Sequence, residues 1–550
     1  MAAVNKRTKV QIIKKGDLEM KKAFALFLCL VMIFGLVACG GKTTETPSTS
    51  SNTTEAADVT TGSEQPASSV PQLKGPGNVT IKRLGYNTAF DPNADINAKV
   101  LEDTTGYHAE YYMLPAENAD EKLLMDISGG ADYDAVNVTI NQFRTLVAQG
   151  ALQPLDELLD VYGQDILNSG HSAEVWDALR GEDGHIYAVP YMYPCDHEIA
   201  NFMVARMDLC KAAGITEMPT TLDGFYDMLV KLKEYYGDQY IILSGPFYQA
   251  SEANEAWAIP KTITSAFGIY SDWMVNSEGK VIYMTEHENF PALVEFMSKL
   301  YSEGLIDPDW AVNTESTLKE KFSSGKTIIC CGNRGLGDYA MPALMENLQL
   351  TWDDIDYISA LSGSDGTCKY METTAFNFVT CVPKSSDNAA DVVNWWNLRL
   401  KNDLHITIGD EGVHFNYDAE GKIDPINPIF AEERGNSYWY MDVTSATWGS
   451  QMWPARVRKS ASQWHAFSAV TMNADTNRIE FTTNEFKFKP ATEAYSKYNT
   501  TLFNSLKDYL LQVMAGIRTI DDLEVFMKDW NNAGGEEVRT ELQSFYDSKH

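Results

Sequence analysis

Residues 79–114 read VTIKRLGYNTAFDPNADINAKVLEDTTGYHAEYYML. Two segments of this stretch alternate apolar and polar side chains as β-strands do, and the segment between them has the spacing of an amphipathic helix. The same patterns continue along the chain and predict strands over 79–84, 108–113 and 133–138, with helices over 95–105, 119–127 and 141–149. Strands that alternate with helices predict an α/β fold with largely parallel sheets.

The alternation of strands and helices also extends into the second half of the chain. A helix is predicted over 225–236, because Thr220-Thr-Leu-Asp223 before it has the spacing of a capping box. Short buried strands are predicted over 327–331 and 375–382, and a helix over 386–400 begins with Ser-Asp-Asn, residues that cap helices. No internal repeat interrupts this pattern.

The length and charge of the chain indicate how many lobes it forms and what kind of ligand it can bind. About 470 residues follow residue 77, more than one hydrophobic core usually supports, so two lobes are expected. The sequence has 76 acidic and 44 basic residues, a net charge of −32, and without residues 1–38 (seven Lys or Arg, two Asp or Glu) the charge is −37. Such a chain repels nucleic acid and anionic lipid headgroups. It suits an extracellular protein whose ligand is neutral or cationic.

The N-terminus has the pattern of a secretory signal peptide. An uncharged apolar run of 16 residues, 23–38, follows Lys21 and Lys22. The run is short for a membrane-anchor helix, which needs about 20 residues. Residues 1–38 are therefore predicted to be a signal peptide, with Met20 as an alternative start. Leu-Val-Ala before Cys39 resembles the bacterial lipobox, which implies that the Cys39 thiol carries a diacylglycerol anchor.

Residues 40–77 form a second block of composition. They are rich in Ser, Thr, Gly and Pro and contain no aromatic residue, so they cannot bury enough apolar surface to offset the entropy of ordering. A flexible coil of this length spans roughly 35 Å. Residues 39–77 are predicted to be a lipid anchor followed by a disordered tether.

The cysteines do not define a metal site or a disulfide framework. Cys29 lies in the predicted signal peptide, and no Cys-x-x-Cys or zinc-like His and Cys spacing occurs. The cysteines that remain after Cys39 are Cys195, Cys210, Cys330, Cys331, Cys368 and Cys381. Disulfides and buried free thiols both remain open for them.

Several phrases in a fixed order carry a resemblance to a known family. The chain resembles the extracellular solute-binding proteins of bacterial ABC importers (family 1-like), in particular the long lipoprotein branch associated with oligosaccharide uptake. The phrases are residues 128–134, 146–156, 182–190, 206–215, 219–225, 303–309, 322–326, 409–414 and 517–530. Singly each is a weak turn or cap motif, and together behind a lipobox they are specific.

The resemblance implies a two-lobe, periplasmic-binding-protein-like (type II) fold with a hinge of more than one crossing and a ligand cleft between the lobes. It implies that residues 78–195 and about 373–480 form lobe 1. Residues from about 196 to 372, with the C-terminal helices over about 481–550, would form lobe 2. A first crossing is expected over 189–194, where two prolines favour extended backbone.

Aromatic residues are the first candidates for ligand contacts. Four of the 12 tryptophans lie within 26 residues: Trp439, Trp448, Trp453 and Trp464. Sugar-binding sites are concave and lined by aromatic rings with a few polar groups. Ordinary core packing explains such a cluster equally well, because large aromatic residues are highly buried on average. Trp448 and Trp453 are the two predicted ligand contacts.

The other candidates follow predicted strands or flank loops, since ligands gather at the carboxyl ends of parallel strands. They are Tyr86, Asn87, Asn137, Tyr191, Trp257, Trp273, Asn333 and Arg334. Turn or cap roles are the alternative for each polar residue. His414, in the phrase over 409–414, is expected to be a hydrogen-bonded structural histidine.

No catalytic motif supports an enzyme. The chain lacks a Gly-x-Ser-x-Gly elbow, a P-loop, His-Glu-x-x-His and Gly-x-Gly-x-x-Gly, and no cofactor or metal is expected. The predicted function is a lipid-anchored, monomeric receptor on the outer face of a Gram-positive type membrane. It would bind a small molecule, most simply an oligosaccharide, and deliver it to ABC permease subunits. A surface-anchored glycoside-active enzyme and a receptor for another solute remain as alternatives.

Overall fold

The computed structural model describes residues 70–116, 118–192, 197–245, 259–333, 340–371, 376, 378–472, 475–489 and 492–550. The predicted signal peptide, residues 39–69 of the predicted tether, Cys195, Trp257 and Arg334 lie outside these residues. Within the described part of the chain, no helix combines the length and the apolar character that a bilayer crossing requires.

The first part of the chain forms β1 (Thr80–Gly85), α1 (Ile96–Thr105), β2 (His108–Met113), α2 (Ala119–Ser128), β3 (Ala135–Val138), α3 (Ile140–Ala148), α4 (Asp156–Tyr162), α5 (Gln164–Leu167), α6 (Ala173–Asp177) and β4 (Ala188–Tyr191). The six elements predicted here are confirmed to within two residues. Local signals explain this agreement. The Asp95 side chain caps α1, and Gly106 ends α1 in the left-handed region at φ 75°.

The next part forms β5 (Asn201–Arg206), α7 (Met207–Ala212), α8 (Leu222–Tyr236), β6 (Ile241–Ser244), α9 (Lys261–Thr264), β7 (Trp273–Val275), β8 (Val281–Tyr283), α10 (Phe290–Ser302), α11 (Glu315–Ser323), β9 (Thr327–Asn333), α12 (Met341–Leu348), β10 (Ile355–Ile358) and β11 (Lys369–Met371). The cap of α8 is Thr221, whose side chain accepts a hydrogen bond from the Gly224 N–H. The predicted capping box one residue earlier, at Thr220, is therefore wrong.

The last part forms β12 (Phe378–Cys381), α13 (Ala389–Lys401), α14 (Asp403–Thr407), β13 (Phe415–Tyr417), β14 (Ile423–Pro425), α15 (Ile429–Arg434), α16 (Trp448–Val457), α17 (Ala461–Phe467), β15 (Glu480–Thr482), α18 (Glu493–Met514), α19 (Leu523–Trp530) and α20 (Glu536–Lys549). Together with the elements above, these build an α/β protein, as the sequence predicts.

Two mixed sheets organise the described residues. A five-stranded sheet has the order β2-β1-β3-β12-β4, and a four-stranded sheet has the order β10-β5-β9-β6. β1 runs parallel to β2 and β3, but β12 is antiparallel to β3 and β4, and β5 is antiparallel to β9 and β10. The expectation of largely parallel sheets therefore fails at β5 and β12. Each of these strands follows a crossing from the other sheet, so it starts at the edge where the neighbouring parallel strands end.

Helices cover both faces of the five-stranded sheet. Ile81 packs on one face with Trp395 and Trp396 of α13, and all three side chains are at most 1% exposed. On the opposite face, Leu84 packs with Phe143 of α3. Each fully buried apolar side chain of this size contributes about 1.5–3 kcal/mol relative to an exposed one. The two layers fix the sheet and so the edge that carries the candidate site.

We call residues 70–192 and 376–459 lobe 1, and residues 197–371 and 460–550 lobe 2. The second segment of lobe 1 ends about 20 residues before the predicted boundary near 480. Ala466 and Val470 pack in one core with Phe202 of β5, and β15 pairs with β11. Leu506 and Trp530 of the C-terminal helices share one core with Leu243 of β6. The chain passes between lobes after β4, returns before β12 and passes again between α16 and α17.

The folded domain starts before residue 78, the first residue after the predicted tether. The Asp391 carboxylate, 1% exposed, accepts hydrogen bonds from the Lys74 and Gly75 N–H groups at 3.0 and 2.8 Å. It also accepts one from the Tyr107 hydroxyl at 3.0 Å. Val70 packs against the same core. Residues 70–77 are therefore part of lobe 1, because a buried carboxylate needs their backbone donors.

The cysteines within the described residues are free and buried: Cys210, Cys330, Cys331, Cys368 and Cys381. Burial raises the pKa of each of these thiols. The sequence left disulfides and free thiols open, and for these five the structure has free thiols in the core.

Candidate functional site

Three aromatic residues meet at the edge of the lobe 1 sheet that carries the chain crossings. Tyr86 directly follows β1, Tyr191 ends β4, and Phe378 begins β12 opposite Tyr191. The Tyr86 and Phe378 rings stack with centroids 4.5 Å apart and planes 5° apart, and the Phe378 and Tyr191 centroids are 5.7 Å apart. Tyr86 and Phe378 are half-buried, whereas Tyr191 is 1% exposed.

Residues 437–444 lie against this edge and add a fourth ring, Tyr438. The Tyr191 hydroxyl donates to the Tyr438 carbonyl oxygen at 2.9 Å. The Thr380 hydroxyl, on β12, donates to the Asp442 carbonyl oxygen at 2.7 Å. These donors come from the neighbouring strands β4 and β12. The two hydrogen bonds therefore hold residues 437–444 in place on the sheet.

A buried ion pair holds the same loop. Arg83, on β1, and Asp442 are 0% and 1% exposed, and Arg83 Nε donates to Asp442 Oδ1 at 2.9 Å. Arg83 Nη2 also donates to the Trp439 carbonyl oxygen at 3.0 Å, and the guanidinium carbon lies 4.3 Å from the Trp439 ring centroid. Burial alone would lower the pKa of Arg83, but the Asp442 carboxylate more than offsets it, so the pKa is raised. Trp439 Nε1 donates to the Tyr86 carbonyl oxygen at 3.1 Å, which links the ion pair to the first ring.

α16 supplies the fifth ring. Trp453 is half-buried, and its Nε1 donates to Glu198 Oε1 at 3.4 Å. Trp448, on the same helix, is 0% exposed and packs with Tyr191 and Met441. The two tryptophans therefore differ in role: Trp448 is core, and Trp453 borders the sheet edge.

We call Tyr86, Tyr191, Phe378, Tyr438 and Trp453 the aromatic cluster. All but Tyr191 are half-buried, so part of each of the other four side chains is accessible. Partly accessible rings can pack against the apolar C–H faces of a polar ligand, and a few polar groups beside them can hydrogen-bond to it.

Polar residues also lie at one edge of the lobe 2 sheet. Asn201 begins β5 opposite Asn333 at the end of β9. The Tyr370 hydroxyl donates to the Asn201 carbonyl oxygen and accepts from its N–H, both at 3.0 Å. Lys261, 7% exposed, has Nζ 6.0 Å from the Tyr370 ring centroid. Glu198, between β4 and β5, is 3% exposed.

The structure brings some predicted site residues together and separates others. Tyr86, Tyr191 and Trp453 belong to the aromatic cluster, and Asn87 is exposed beside it. Asn333 ends β9, while Trp257 and Arg334 lie outside the described residues.

Asn137, Trp273 and Trp448 pack in lobe cores and are not retained as ligand contacts. Asn137 is 0% exposed and donates through Nδ2 to the Thr380 hydroxyl at 2.9 Å. Trp273 is 3% exposed and lies between Tyr283 and Trp530, with ring centroids 5.0 and 5.7 Å away. The polar or aromatic character of these residues suggested a site, but tertiary burial determines their role.

His414 has the structural role expected from the sequence. It is 3% exposed, its Nδ1 accepts from the Asp410 N–H at 3.0 Å, and its Nε2 lies 3.0 Å from Glu433 Oε2. Across the residues with described positions, no group of three or more His, Cys, Asp or Glu side chains could hold a metal ion.

Sequence reasoning missed Phe378 and Glu198. The candidates were residues that follow predicted strands, because the carboxyl ends of parallel strands meet at one edge of a sheet. β12 is antiparallel to its neighbours, so its first residue lies at that edge instead. Glu198 follows the predicted crossing over 189–194 by four residues. A search of both flanks of each predicted crossing would have found both residues.

Comparisons with known proteins identify a family and several relatives. The family model for bacterial extracellular solute-binding proteins matches residues 92–329. An uncharacterized protein from Niallia circulans is 30% identical over 246 residues, which cover 44% of this chain and 93% of that protein. YtcQ of Bacillus subtilis, a polygalacturonan/rhamnogalacturonan-binding protein, is 20% identical over 440 residues, 74% of this chain and 83% of YtcQ.

FusA of Streptococcus pneumoniae, a fructooligosaccharide ABC transporter substrate-binding protein, is 27% identical over 240 residues, which span 40% of this chain and 43% of FusA. The structure of FusA in complex with kestose matches with a TM-score of 0.63 and 18% identity, over 86% of this chain and 99% of FusA. This likeness shows a shared fold. The chain belongs to the family of bacterial extracellular solute-binding proteins.

Proposed function

We propose that the protein is an extracellular receptor that binds an oligosaccharide between its two lobes and delivers it to an ABC importer. The observation that carries this proposal is the aromatic cluster, whose four half-buried rings lie at the sheet edge where the chain crosses between lobes. Ligand sites of α/β proteins favour such edges.

The chemistry of the cluster suits a sugar. Aromatic faces can cover the C–H face of a pyranose or furanose ring, and neighbouring polar groups can bond its hydroxyls. Glu198, whose carboxylate accepts a hydrogen bond from Trp453 Nε1, supplies one such group beside the cluster. The names of the relatives support a carbohydrate ligand, but they include both a neutral sugar class and an acidic polymer.

Transport requires that ligand binding change the conformation of the protein. The several chain passages between lobes form a hinge, and a ligand that contacts both lobes favours the closed arrangement by its differential affinity for that state. A permease that recognises the closed arrangement then receives only loaded receptor.

Anchoring at the membrane rests on the sequence of the N-terminus. A lipid on Cys39 followed by a tether would keep the binding domain near the permease without a membrane-spanning helix. Known members of the family act as binding proteins, and we extend this to the chain as a receptor without turnover.

Incubation of the purified protein with a panel of oligosaccharides tests the proposal. We expect saturable binding with a raised melting temperature and no change in the sugar by chromatography, because a ligand that binds only the folded state stabilises it. Cleavage products would support the glycoside-active enzyme instead. Absence of binding to every sugar would contradict the oligosaccharide receptor.

A further inference from the structure

A short segment of lobe 2 reaches into the core of lobe 1. Residues 484–489 follow β15, which pairs with β11 of lobe 2, and precede α18. Phe486 is 6% exposed and shares the lobe 2 core with Leu506 of α18. Phe488, two positions later, is 7% exposed and shares the lobe 1 core with Phe143 of α3. We call residues 484–489 the strap, because the segment comes from lobe 2 and contacts both lobes.

Polar and aromatic contacts hold the strap on each lobe. Arg144 Nη2, on α3 of lobe 1, donates to the Lys489 carbonyl oxygen at 2.6 Å, and both residues are 5% exposed. Lys489 Nζ lies 3.6 Å from the ring centroid of Tyr495 on α18 of lobe 2. The Lys489 N–H also donates to the Phe486 carbonyl oxygen at 3.1 Å. The strap is therefore a compact turn that is bonded to both lobes.

The strap lies beside a passage of the chain between the lobes. The Phe488 and Phe376 ring centroids are 5.6 Å apart, and the ring planes are 71° apart. Phe376 precedes β12 by two residues, where the chain has returned to lobe 1. Atoms near a hinge move least when two rigid lobes rotate. The strap can therefore stay attached to both lobes while more distant parts of the lobes approach or separate.

Another contact between the lobes is more exposed. Lys549, at the end of α20, has its Nζ 3.5 Å from Glu174 Oε1 on α6, and the two side chains are 27% and 53% exposed. Such a pair is screened by water and salt and contributes little. Burial of a phenylalanine ring, in contrast, favours the attached arrangement by about 10- to 150-fold over one with the ring in water. Phe488 therefore restrains the lobes more strongly than this ion pair does.

We propose that the strap holds the two lobes in a narrow range of relative orientations, and that Phe488 is thereby a positioning residue for ligand binding between them. The second part rests on the proposed function, because it concerns the same site. The aromatic cluster belongs to lobe 1, so a ligand that also contacts lobe 2 needs the lobes in one arrangement. A restraint on their orientation reduces the entropy lost on binding and raises the fraction of molecules that can bind.

Pulsed electron paramagnetic resonance on the ligand-free protein measures the spread of lobe orientations. Spin labels are attached at Lys99→Cys in lobe 1 and Lys280→Cys in lobe 2, because these lysine side chains are 74% and 70% exposed. Cys39→Ala and Cys195→Ser remove two other thiols from this background, and burial protects the five free thiols of the core from labelling. We expect a narrow distance distribution in the background protein and a wider one when Phe488→Ala is added.

Phe526→Ala and Lys549→Met are the matched controls. Phe526, on α19, is 6% exposed and stacks on Tyr509 of the same lobe with ring centroids 4.3 Å apart, so its replacement removes a similar buried ring within lobe 2. Lys549→Met removes the exposed contact between the lobes. Both controls should keep the distance distribution of the background protein. Titration calorimetry with kestose, maltotriose and xylotriose should find affinity about 10- to 150-fold weaker in Phe488→Ala and unchanged in both controls.

The outcomes separate this inference from the proposed function. An unchanged distance distribution, unchanged affinity or tighter binding in Phe488→Ala overturns the inference and leaves the oligosaccharide receptor intact, as does equal widening in Phe526→Ala. Absence of binding of every sugar by the wild type contradicts the proposed function, while the distance distributions still decide whether the strap restrains the lobes. If Phe488→Ala does not melt cooperatively, Phe488→Val replaces it, and a distribution as narrow as that of the background overturns the inference.

Discussion

Replacing Arg83 by Met should destabilise lobe 1 far more than the removal of an exposed charge does. Arg83 and Asp442 are 0% and 1% exposed, and the guanidinium also binds the Trp439 carbonyl oxygen. Removing one member of a buried pair leaves the other charge without compensation, which costs about 3–5 kcal/mol. The double variant Arg83→Met/Asp442→Leu removes both charges, so its cost should be smaller than the sum of the single costs by about 2 kcal/mol or more.

Urea unfolding of the single and double variants measures these costs, with the slope of the transition checked for constancy. Lys99→Met is the matched control, since Lys99 and Asp103 are 74% and 61% exposed and such a pair contributes at most about 1 kcal/mol. Equal effects of Arg83→Met and Lys99→Met, or strictly additive costs in the double variant, would refute the role of the ion pair in holding residues 437–444.

Three other predictions follow from the N-terminus and from a half-buried histidine. Deleting residues 43–69 should leave the melting temperature within about a degree of the wild-type value. Deleting residues 43–77 should lower it by a few degrees, because Asp391 loses two backbone donors. Equal melting temperatures of the two deletion variants would contradict this. Cys39→Ala should abolish partition into detergent, and unchanged partition would show that the thiol carries no lipid. Burial lowers the pKa of His465 from 6.5, so the unfolded chain takes up that proton at higher pH than the folded protein. Stability should therefore fall as pH decreases below about 6.5, and calorimetry should find a flatter pH dependence in His465→Phe.

Periodicity and caps predict the local elements of this fold because they act within a few residues. The strands over β1 to β3 and the helices between them agree with their patterns, with Asp95 and Gly106 as their clearest signals. Strand direction after a crossing is not a local property. β5 and β12 look like any other buried strand in sequence, and their antiparallel placement depends on where the chain re-enters each sheet.

The candidate site could be predicted only in part for the same reason. Trp448 and Trp453 are five residues apart on one helix. Trp448 is buried in the core and Trp453 is half-buried, and this difference depends on their neighbours in the folded protein. The alternation of apolar and polar residues along β1 does not predict that Arg83 forms a buried ion pair. Its partner Asp442 is 359 positions away, a separation that no local signal bridges.

The most direct test of the oligosaccharide receptor compares Trp453→Ala with Trp448→Ala for a sugar that the wild type binds. Base–aromatic stacking is worth roughly 1–3 kcal/mol per ring, and by analogy Trp453→Ala should weaken affinity by about 5- to 150-fold with little change in melting temperature. Trp448→Ala should cost about 3–5 kcal/mol of stability, while the folded fraction keeps its affinity. Titration calorimetry and a thermal melt on each variant measure both quantities. Normal affinity in Trp453→Ala would contradict the claim that the aromatic cluster binds the sugar.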